Sequence, residues 1–310
     1  MPCYSALKGF KSRHTNGLTF KREESNGFKM EVACGQCLGC RLDRSRMWAM
    51  RIVHEAAQYE DNAFVTLTYR EKANATPEQI AKGHYCPEDG SLNKKHFQKF
   101  MKRLRKYFSG RNIRYYHCGE YGDQYDRPHY HACLFNTHFP DQELFNDREG
   151  NFLFTSKILE KLWPYGFSTI GELTFESAAY TARYILKKIL GRNADDHYLR
   201  CDEYGVAYWL QPEYTTMSRR PGIGKEWYEE YKDDIWPADE VPVPGSGVYK
   251  KVPRYYETIL KSEDPDQLEE IKQLRRQFML AHKEEYSPQR IWQKYKVKKA
   301  QVTQLKREML

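Results

Sequence analysis

The chain has 310 residues, with 50 Lys and Arg against 42 Asp and Glu and a formal net charge of +8. That length can bury a sizeable core, but no window approaches the ~18 consecutive apolar residues of a membrane span. The opening Met1-Pro2-Cys3-Tyr4-Ser5 also lacks the charged-then-apolar order of a secretory signal, so a membrane protein and a secreted disulfide scaffold are set aside and a cytoplasmic location is expected.

Without a secretion signal, the eight cysteines point to metal binding or buried thiols rather than to a disulfide framework. Three are clustered in Cys34-Gly-Gln-Cys37-Leu-Gly-Cys40, the spacing that lets two thiolates grip one tetrahedral ion, with glycines for the tight turns. A structural Zn2+ held by Cys34, Cys37, Cys40 and Cys3 is the expected site. Cys86, His14 and Cys118 are alternatives for the fourth position. An iron–sulfur cluster is disfavoured, because Arg41-Leu-Asp-Arg44 follows where the bacterial ferredoxin pattern has a fourth cysteine before proline.

Arg41 to Glu60 reads as a helix broken by Asp61-Asn62, and Ala63 to Tyr69, β-branched and aromatic, as a strand. A polar loop runs through Gly90. After it, Phe97, Phe100, Met101, Leu104 and Phe108 recur at helical spacing. Ile113 to Tyr121 and Pro128 to Phe135 are two strands joined by the hairpin loop Gly122 to Arg127. Ser156 to Trp163 is a short helix, Phe167 to Leu173 a strand, and Thr174 to Leu190 a helix capped by Thr174. Glu213 to Met217 is a last strand, followed by Ser218-Arg-Arg-Pro-Gly-Ile-Gly224 and a short helix to about Ile235. Trp236 to Pro253 turns to Pro, Gly and Val without helical period and reads as a linker before charged helices. This order predicts the α+β class, a central, mainly antiparallel sheet flanked by helices. Three regions are expected: residues 1–60 with the cysteine cluster, 61–235 as the main domain, and 236–310 as linker and basic helical tail.

The charge is concentrated in two places. Asn93 to Arg114 holds nine Lys/Arg and no acid, and Tyr286 to Leu310 holds seven against the single Glu308. Both carry aromatics (Phe97, Phe100, Tyr107, Phe108; Trp292, Tyr295), a mixture suited to a polyanion with stackable bases.

His129 and His131 lie two apart on a strand and so share a face. The hairpin sets Glu120 opposite them, and two imidazoles with one carboxylate suit Mn2+, Mg2+ with help from phosphate, or Zn2+, leaving coordination positions open. In the helix after Thr174, Tyr180, Tyr184 and Lys187 fall on one polar side, with Phe175, Ala179, Ala182, Ile185, Leu186 and Ile189 opposite. A phenol of ordinary pKa near 10 is a poor nucleophile, and it improves beside a cation such as Arg183 or Lys187. Arg127, Arg183, Arg219 and Arg220 are candidate phosphate contacts.

His129-Tyr130-His131, Phe64-Val-Thr-Leu-Thr-Tyr69 and the Tyr180/Tyr184 helix together resemble the three motifs of HUH endonucleases, in the expected order. The doubled Tyr-x-x-Arg/Lys is similar to that of rolling-circle initiators of small single-stranded DNA phages. More narrowly, Met-Pro-Cys-Tyr-Ser5, Cys34 to Arg41, Cys118-Gly-Glu-Tyr-Gly122 and Tyr214 to Gly224 resemble the replication initiators of gokushovirus-type microviruses, over about residues 1 to 235. The resemblance implies a ferredoxin- or RRM-like HUH sheet and nicking of single-stranded viral origin DNA through a 5′-phosphotyrosine. It implies a divalent metal, Mn2+ or Mg2+, at Glu120, His129 and His131, with Lys187 stabilising phenolate or phosphate, in the cytoplasm of a bacterial host. An HUH transposase or relaxase, and a zinc-containing DNA-binding protein without catalysis, are the other readings. No G-x-x-x-x-G-K-[ST] loop is present, so strand separation is assigned to a host helicase and extension to a host polymerase.

Overall fold

The structure is a computed structural model, and it describes residues 3–304 apart from 16, 123–124, 149, 185–187, 189–192, 203 and 250. In chain order the elements are β1 (Leu7–Ser12), β2 (Leu18–Thr19), β3 (Ser25–Val32), α1 (Leu38–Ala56), β4 (Asn62–Tyr69), α2 (Pro77–Ala81), α3 (Lys94–Tyr107), β5 (Arg114–Tyr121) and β6 (Pro128–Phe135). There follow β7 (Glu143–Arg148), β8 (Asn151–Thr155), α4 (Lys157–Leu162), β9 (Gly166–Gly171), α5 (Phe175–Tyr184), α6 (Asn193–Tyr198), β10 (Leu199–Cys201), β11 (Ala207–Trp209) and β12 (Tyr214–Met217). The chain continues with α7 (Lys225–Ile235), β13 (Val241–Val243), β14 (Gly247–Tyr249), α8 (Arg254–Glu263), α9 (Pro265–Ala281) and α10 (Pro288–Gln304). Two compact units result, Met1–Arg46 with Leu260–Leu310, and Met47–Ile259.

The first unit holds a three-stranded sheet of order β2-β1-β3. Among the described residues up to Arg46 no apolar side chain is buried, and Phe20 and Phe28 are exposed. Burial in this unit comes instead from Leu260, Leu268 and Ile271, with α9 N-capped by Asp264, whose side chain accepts from the Gln267 N–H.

The second unit is built on a seven-stranded sheet of order β12-β5-β6-β4-β9-β8-β7. Every pairing in it is antiparallel, as expected for the α+β class. Period-two alternation divides its side chains between two faces. Val65, Leu67, Tyr69, Tyr130, Ala132 and Leu134 lie on one, packed with Phe97, Phe100, Met101 and Leu104 of α3 and Leu159 and Leu162 of α4. On the other, Tyr116 packs on Trp48 of α1, ring centroids 5.0 Å apart, and Cys133 meets Thr181 of α5. Helices thus cover both faces. The central hairpin β5–β6 turns at Gly122, as the sequence predicts, with the Gly122 N–H donating to the Arg127 carbonyl at 3.0 Å.

Several elements differ from expectation. Helix α1 ends at Ala56 rather than Glu60, because the Asn62 side-chain amide donates to the carbonyls of Ala56 and Tyr59 and stops the last turn. The hairpin β7–β8 lies where the sequence suggests no element. Its apolar residues come in consecutive runs (Leu144-Phe145, Phe152-Leu153-Phe154) that hide the alternation of a strand. The stretch 236–253 is not an unstructured linker: it holds the hairpin β13–β14 and buries Trp236, Val241, Val243 and Val252. The Thr174 cap is present, with Ser177 N–H donating to Thr174 Oγ1 at 3.2 Å and Thr174 N–H to Ser177 Oγ at 2.9 Å. Residues 185–187, 189 and 190, expected to continue that helix, lie outside the described residues.

The Arg- and Gly-rich loop after β12 is held by a buried ion pair. Arg114 of β5 bonds Glu55 of α1, the two side chains 4% and 3% exposed. Glu55 Oε2 accepts the Gly224 N–H at 2.7 Å, and Arg114 donates to the Pro221 carbonyl at 2.9 Å. Gly224 has φ +74°, and a Cβ there would lie 2.6 Å from the Tyr256 hydroxyl, so only glycine fits. Replacing Glu55 by Ala strands a buried guanidinium, and about 3–5 kcal/mol of stability is expected to be lost, read as a lower denaturant midpoint. A midpoint within experimental error of wild type would remove this pair from the account of the loop.

Candidate functional site

The β5–β6 register pairs Glu120 with His129 and Cys118 with His131, and the β6–β4 register pairs His129 with Thr68 and His131 with Thr66. Directly opposed residues point to the same side, so Glu120, His129 and His131 share the face that α1 and α5 partly cover. Both imidazole Nε2 atoms converge on Glu120 Oε1, at 2.8 Å from His129 and 3.1 Å from His131. One ligand atom from each residue lies within 4.8 Å of the other two.

The far side of each ring sets its orientation. His129 Nδ1 lies 3.0 Å from the Arg127 carbonyl, which can only accept, so Nδ1 carries a proton and Nε2 faces Glu120, where it donates when protonated and offers its lone pair to a cation when not. His131 Nδ1 is 3.0 Å from Thr66 Oγ1, a hydroxyl that can accept in the same sense. Burial alone would raise the Glu120 carboxyl. Hydrogen bonds from His129 and His131 and their charge outweigh it and hold the carboxyl at about 2. Two imidazole Nε2 atoms and an ionised carboxylate aimed at one point are the donor set of a divalent cation with open positions, and oriented outer partners are what such ligands carry. Thr66 escaped the sequence reading as an outer partner. It stands in the quoted Phe64–Tyr69 motif, but only the strand register brings it to His131.

Helix α5 lies over this face, with Ala178, Thr181 and Ala182 buried. Tyr180 is half-buried and stands edge-on to His131, ring centroids 5.3 Å apart at 81°. It therefore sits at the border of the packed stripe rather than on a wholly solvated face. The Arg183 guanidinium carbon is 5.9 Å from the centre of the Tyr180 ring, and burial lowers the Arg183 pKa from its ordinary value. Tyr184 ends α5 one turn further on, though its side chain lies outside what is described, and Lys187 lies outside the described residues.

The other expected DNA contacts are dispersed. Arg127 is exposed at the hairpin tip and paired with Glu71. Arg219 and Arg220 are exposed just beyond the end of β12 that pairs with Tyr116, four residues of β5 away from Glu120. At ~3.3 Å per residue this is roughly 13 Å, so they do not join the triad. Helix α3 packs on the opposite face of the sheet, so its exposed Lys94, Lys95, Lys99, Lys102, Arg105 and Lys106 point away from the triad. Its Phe97 and Phe100 are buried and belong to the core, not to a base-stacking surface.

In the first unit Cys3, Cys34, Cys37 and Cys40 come together, one sulfur from each within 4.8 Å of the rest. Cys3 is thus the fourth member, and Cys86 and Cys118 belong to the other unit. Backbone amides point at the sulfurs, with Tyr4 N–H on Cys37, Cys34 N–H on Cys3 and Cys37 N–H on Cys34 at 3.2–3.3 Å. Burial would raise the Cys37 thiol, but the amides of Cys40 and Tyr4 and the neighbouring thiols draw it down to about 7. Cys40 is pushed up to about 12 by burial and by its contacts with Cys3 and Cys37. A Cys37 thiol drawn toward the thiolate beside a Cys40 thiol that resists ionising is an arrangement that a dication relieves.

A family model described as Replication-associated protein ORF2/G2P matches residues 62–189. The chain is 38% identical over 253 residues to replication-associated protein ORF2 of Spiroplasma virus 4, covering 79% of this chain and 72% of that protein. It is 32% identical over 268 residues to replication-associated protein VP4 of Bdellovibrio phage phiMH2K, covering 86% of this chain and 79% of that one. Replication-associated protein ORF4 of Chlamydia phage 1 is 26% identical over 250 residues, 77% of this chain and 56% of its own length. No solved structure matches.

Proposed function

As the chain belongs to the replication-associated protein family of gokushovirus-type phages, we propose that it starts replication by cutting and later rejoining single-stranded origin DNA through a 5′-phosphotyrosine link. The observation that carries this reading is the Tyr180 ring packed on His131, on the helix that bears Tyr184 one turn later. A tyrosine oxygen attacks the phosphorus, the P–O3′ bond breaks, and the phenol's proton ends on the departing 3′ oxygen. A free 3′-hydroxyl remains for a host polymerase, with a host helicase opening the duplex. The second tyrosine cuts the regenerated origin, and the new 3′-hydroxyl attacks the first phosphotyrosine, closing a circle and restoring the phenol.

Mn2+ or Mg2+ held by Glu120, His129 and His131 would neutralise charge on the scissile phosphate and make phosphorus more electrophilic. The chain's own share is positioning. Thr66 and the Arg127 carbonyl hold the two imidazoles, α5 holds Tyr180 beside them, and Arg183 lends a nearby positive charge to the phenol, a role proposed for Lys187 also. The four cysteines would bind Zn2+ as a structural ion. Among the described residues no helix is long and apolar enough to cross a membrane.

The test is the double variant Tyr180→Phe/Tyr184→Phe with single-stranded origin DNA and Mn2+. Wild type is expected to form a covalent protein–DNA adduct that survives denaturing electrophoresis, and the double variant none. Adduct formation by the double variant at the wild-type rate would end the tyrosine mechanism.

A further inference from the structure

The strand registers place four side chains in one row across the sheet, namely Glu120 of β5 opposite His129 of β6, His129 opposite Thr68 of β4, and Thr68 opposite Phe167 of β9. All four point to the triad's face. Phe167 is 63% exposed, although it lies only two strand spacings, roughly 10 Å, from His129. On its outer side β9 pairs with β8 through Phe154 and Ile170, three residues further along. The Arg70 guanidinium carbon is 5.7 Å from the centre of the Phe167 ring. Arg70 follows Thr68 by two residues, the spacing that returns a side chain to the same face.

We propose that Phe167 is a base-stacking platform for the substrate strand, holding one unpaired base beside the scissile phosphate, with Arg70 facing the phosphate of that nucleotide. A lone exposed phenylalanine is by itself unremarkable. What distinguishes this one is its place in the row that contains two of the three triad residues, with the Arg70 cation over its ring. An aromatic face with an adjacent Arg is how single strands are held without reading sequence. With the phosphate at the triad and α5 over β5 and β6, a strand leaving toward β4 and β9 meets the exposed Phe167 ring within a nucleotide or two. The platform fixes where the backbone lies relative to Tyr180, and it makes Phe167 a substrate-positioning residue, not a catalytic one. This inference rests on the reading of the triad as a site for single-stranded DNA.

The experiment uses the full chain with Mn2+ and the circular single-stranded phage genome to map the cut, then oligonucleotides spanning it with an abasic residue at each flanking position in turn. Wild type is expected to lose about tenfold in cleavage efficiency, mainly through KM, at one flanking position, the size of one base–aromatic stack. Phe167→Ala is expected to lose a similar factor on the intact strand and nothing further on the oligonucleotide abasic at that position, while Phe167→Trp retains activity. Because the side chain is exposed, the Ala variant should melt as wild type does. If wild type cuts and Phe167→Ala cuts equally well, the platform is wrong and the cleavage reading stands. If wild type neither cuts nor links to any single strand, both fall.

Discussion

Glu120→Gln is expected to leave the protein folded, weaken Mn2+ binding by at least about a hundredfold and reduce origin cleavage roughly a thousandfold. The substitution keeps the shape of a side chain that is 1% exposed but removes the one formal negative charge among the three donors. A metal on a phosphoryl oxygen supplies several kcal/mol of charge stabilisation, and ~4 kcal/mol corresponds to about a thousandfold in rate. Thr66→Val, which removes the hydroxyl beside the far nitrogen of His131, is expected to cost about 10–100-fold in metal affinity. Titration calorimetry with Mn2+ and single-turnover cleavage measure the two effects. Occupancy should fall as pH drops, because both imidazoles must be neutral to bind a cation. Cleavage by Glu120→Gln at the wild-type rate would take the triad out of the chemistry.

The second large effect is expected in the cysteine unit. Among the described residues up to Arg46 no apolar side chain is buried, and a sheet of three short strands without a core does not hold itself together in water. The four sulfurs tie Cys3, ahead of β1, to the turn that enters α1, so an ion there closes the whole three-stranded segment. Purified protein should contain one zinc per chain. Removing it with a chelator, or making Cys37→Ser, should erase hydrogen-exchange protection across residues 7–32, since structural zinc contributes on the order of 10 kcal/mol in small metal-dependent folds. Metal-free protein that keeps its protection across β1–β3 would contradict this role.

What was legible in the sequence follows from how far apart the interacting residues are along the chain. Glu120 and His129 are nine residues apart, joined by a short loop, so strand alternation and one turn suffice to oppose them. The Cys34–Cys40 cluster and the Thr174 cap are equally local. The antiparallel α+β class followed from element order, because a central hairpin between helices leaves few arrangements.

Other features were not legible. Thr66 and His131 are 65 residues apart, and nothing in either segment names the other until β4 and β6 choose a register. Residues 236–253 look like a linker because Pro and Gly interrupt their periodicity, yet Trp236 and three valines find partners only once α7 and α8 are in place. The charge of α3 suggested a DNA-facing helix. Its amphipathic pattern establishes that one side must be buried, but which face of the sheet receives it depends on the connection between β4 and β5, not on the helix itself.

The sequence by itself determined the residue types of the Glu120, His129 and His131 triad, the hairpin that opposes them, the sulfur cluster and the tyrosine helix, because each is written within a few turns or strand residues, where backbone periodicity alone sets direction. Only the tertiary structure decided that Tyr180 rests on His131, that the basic helix lies behind the sheet, and that Phe167 completes the row begun by Glu120. Those relations join segments dozens of residues apart, and they exist only after apolar burial has selected the strand order and register.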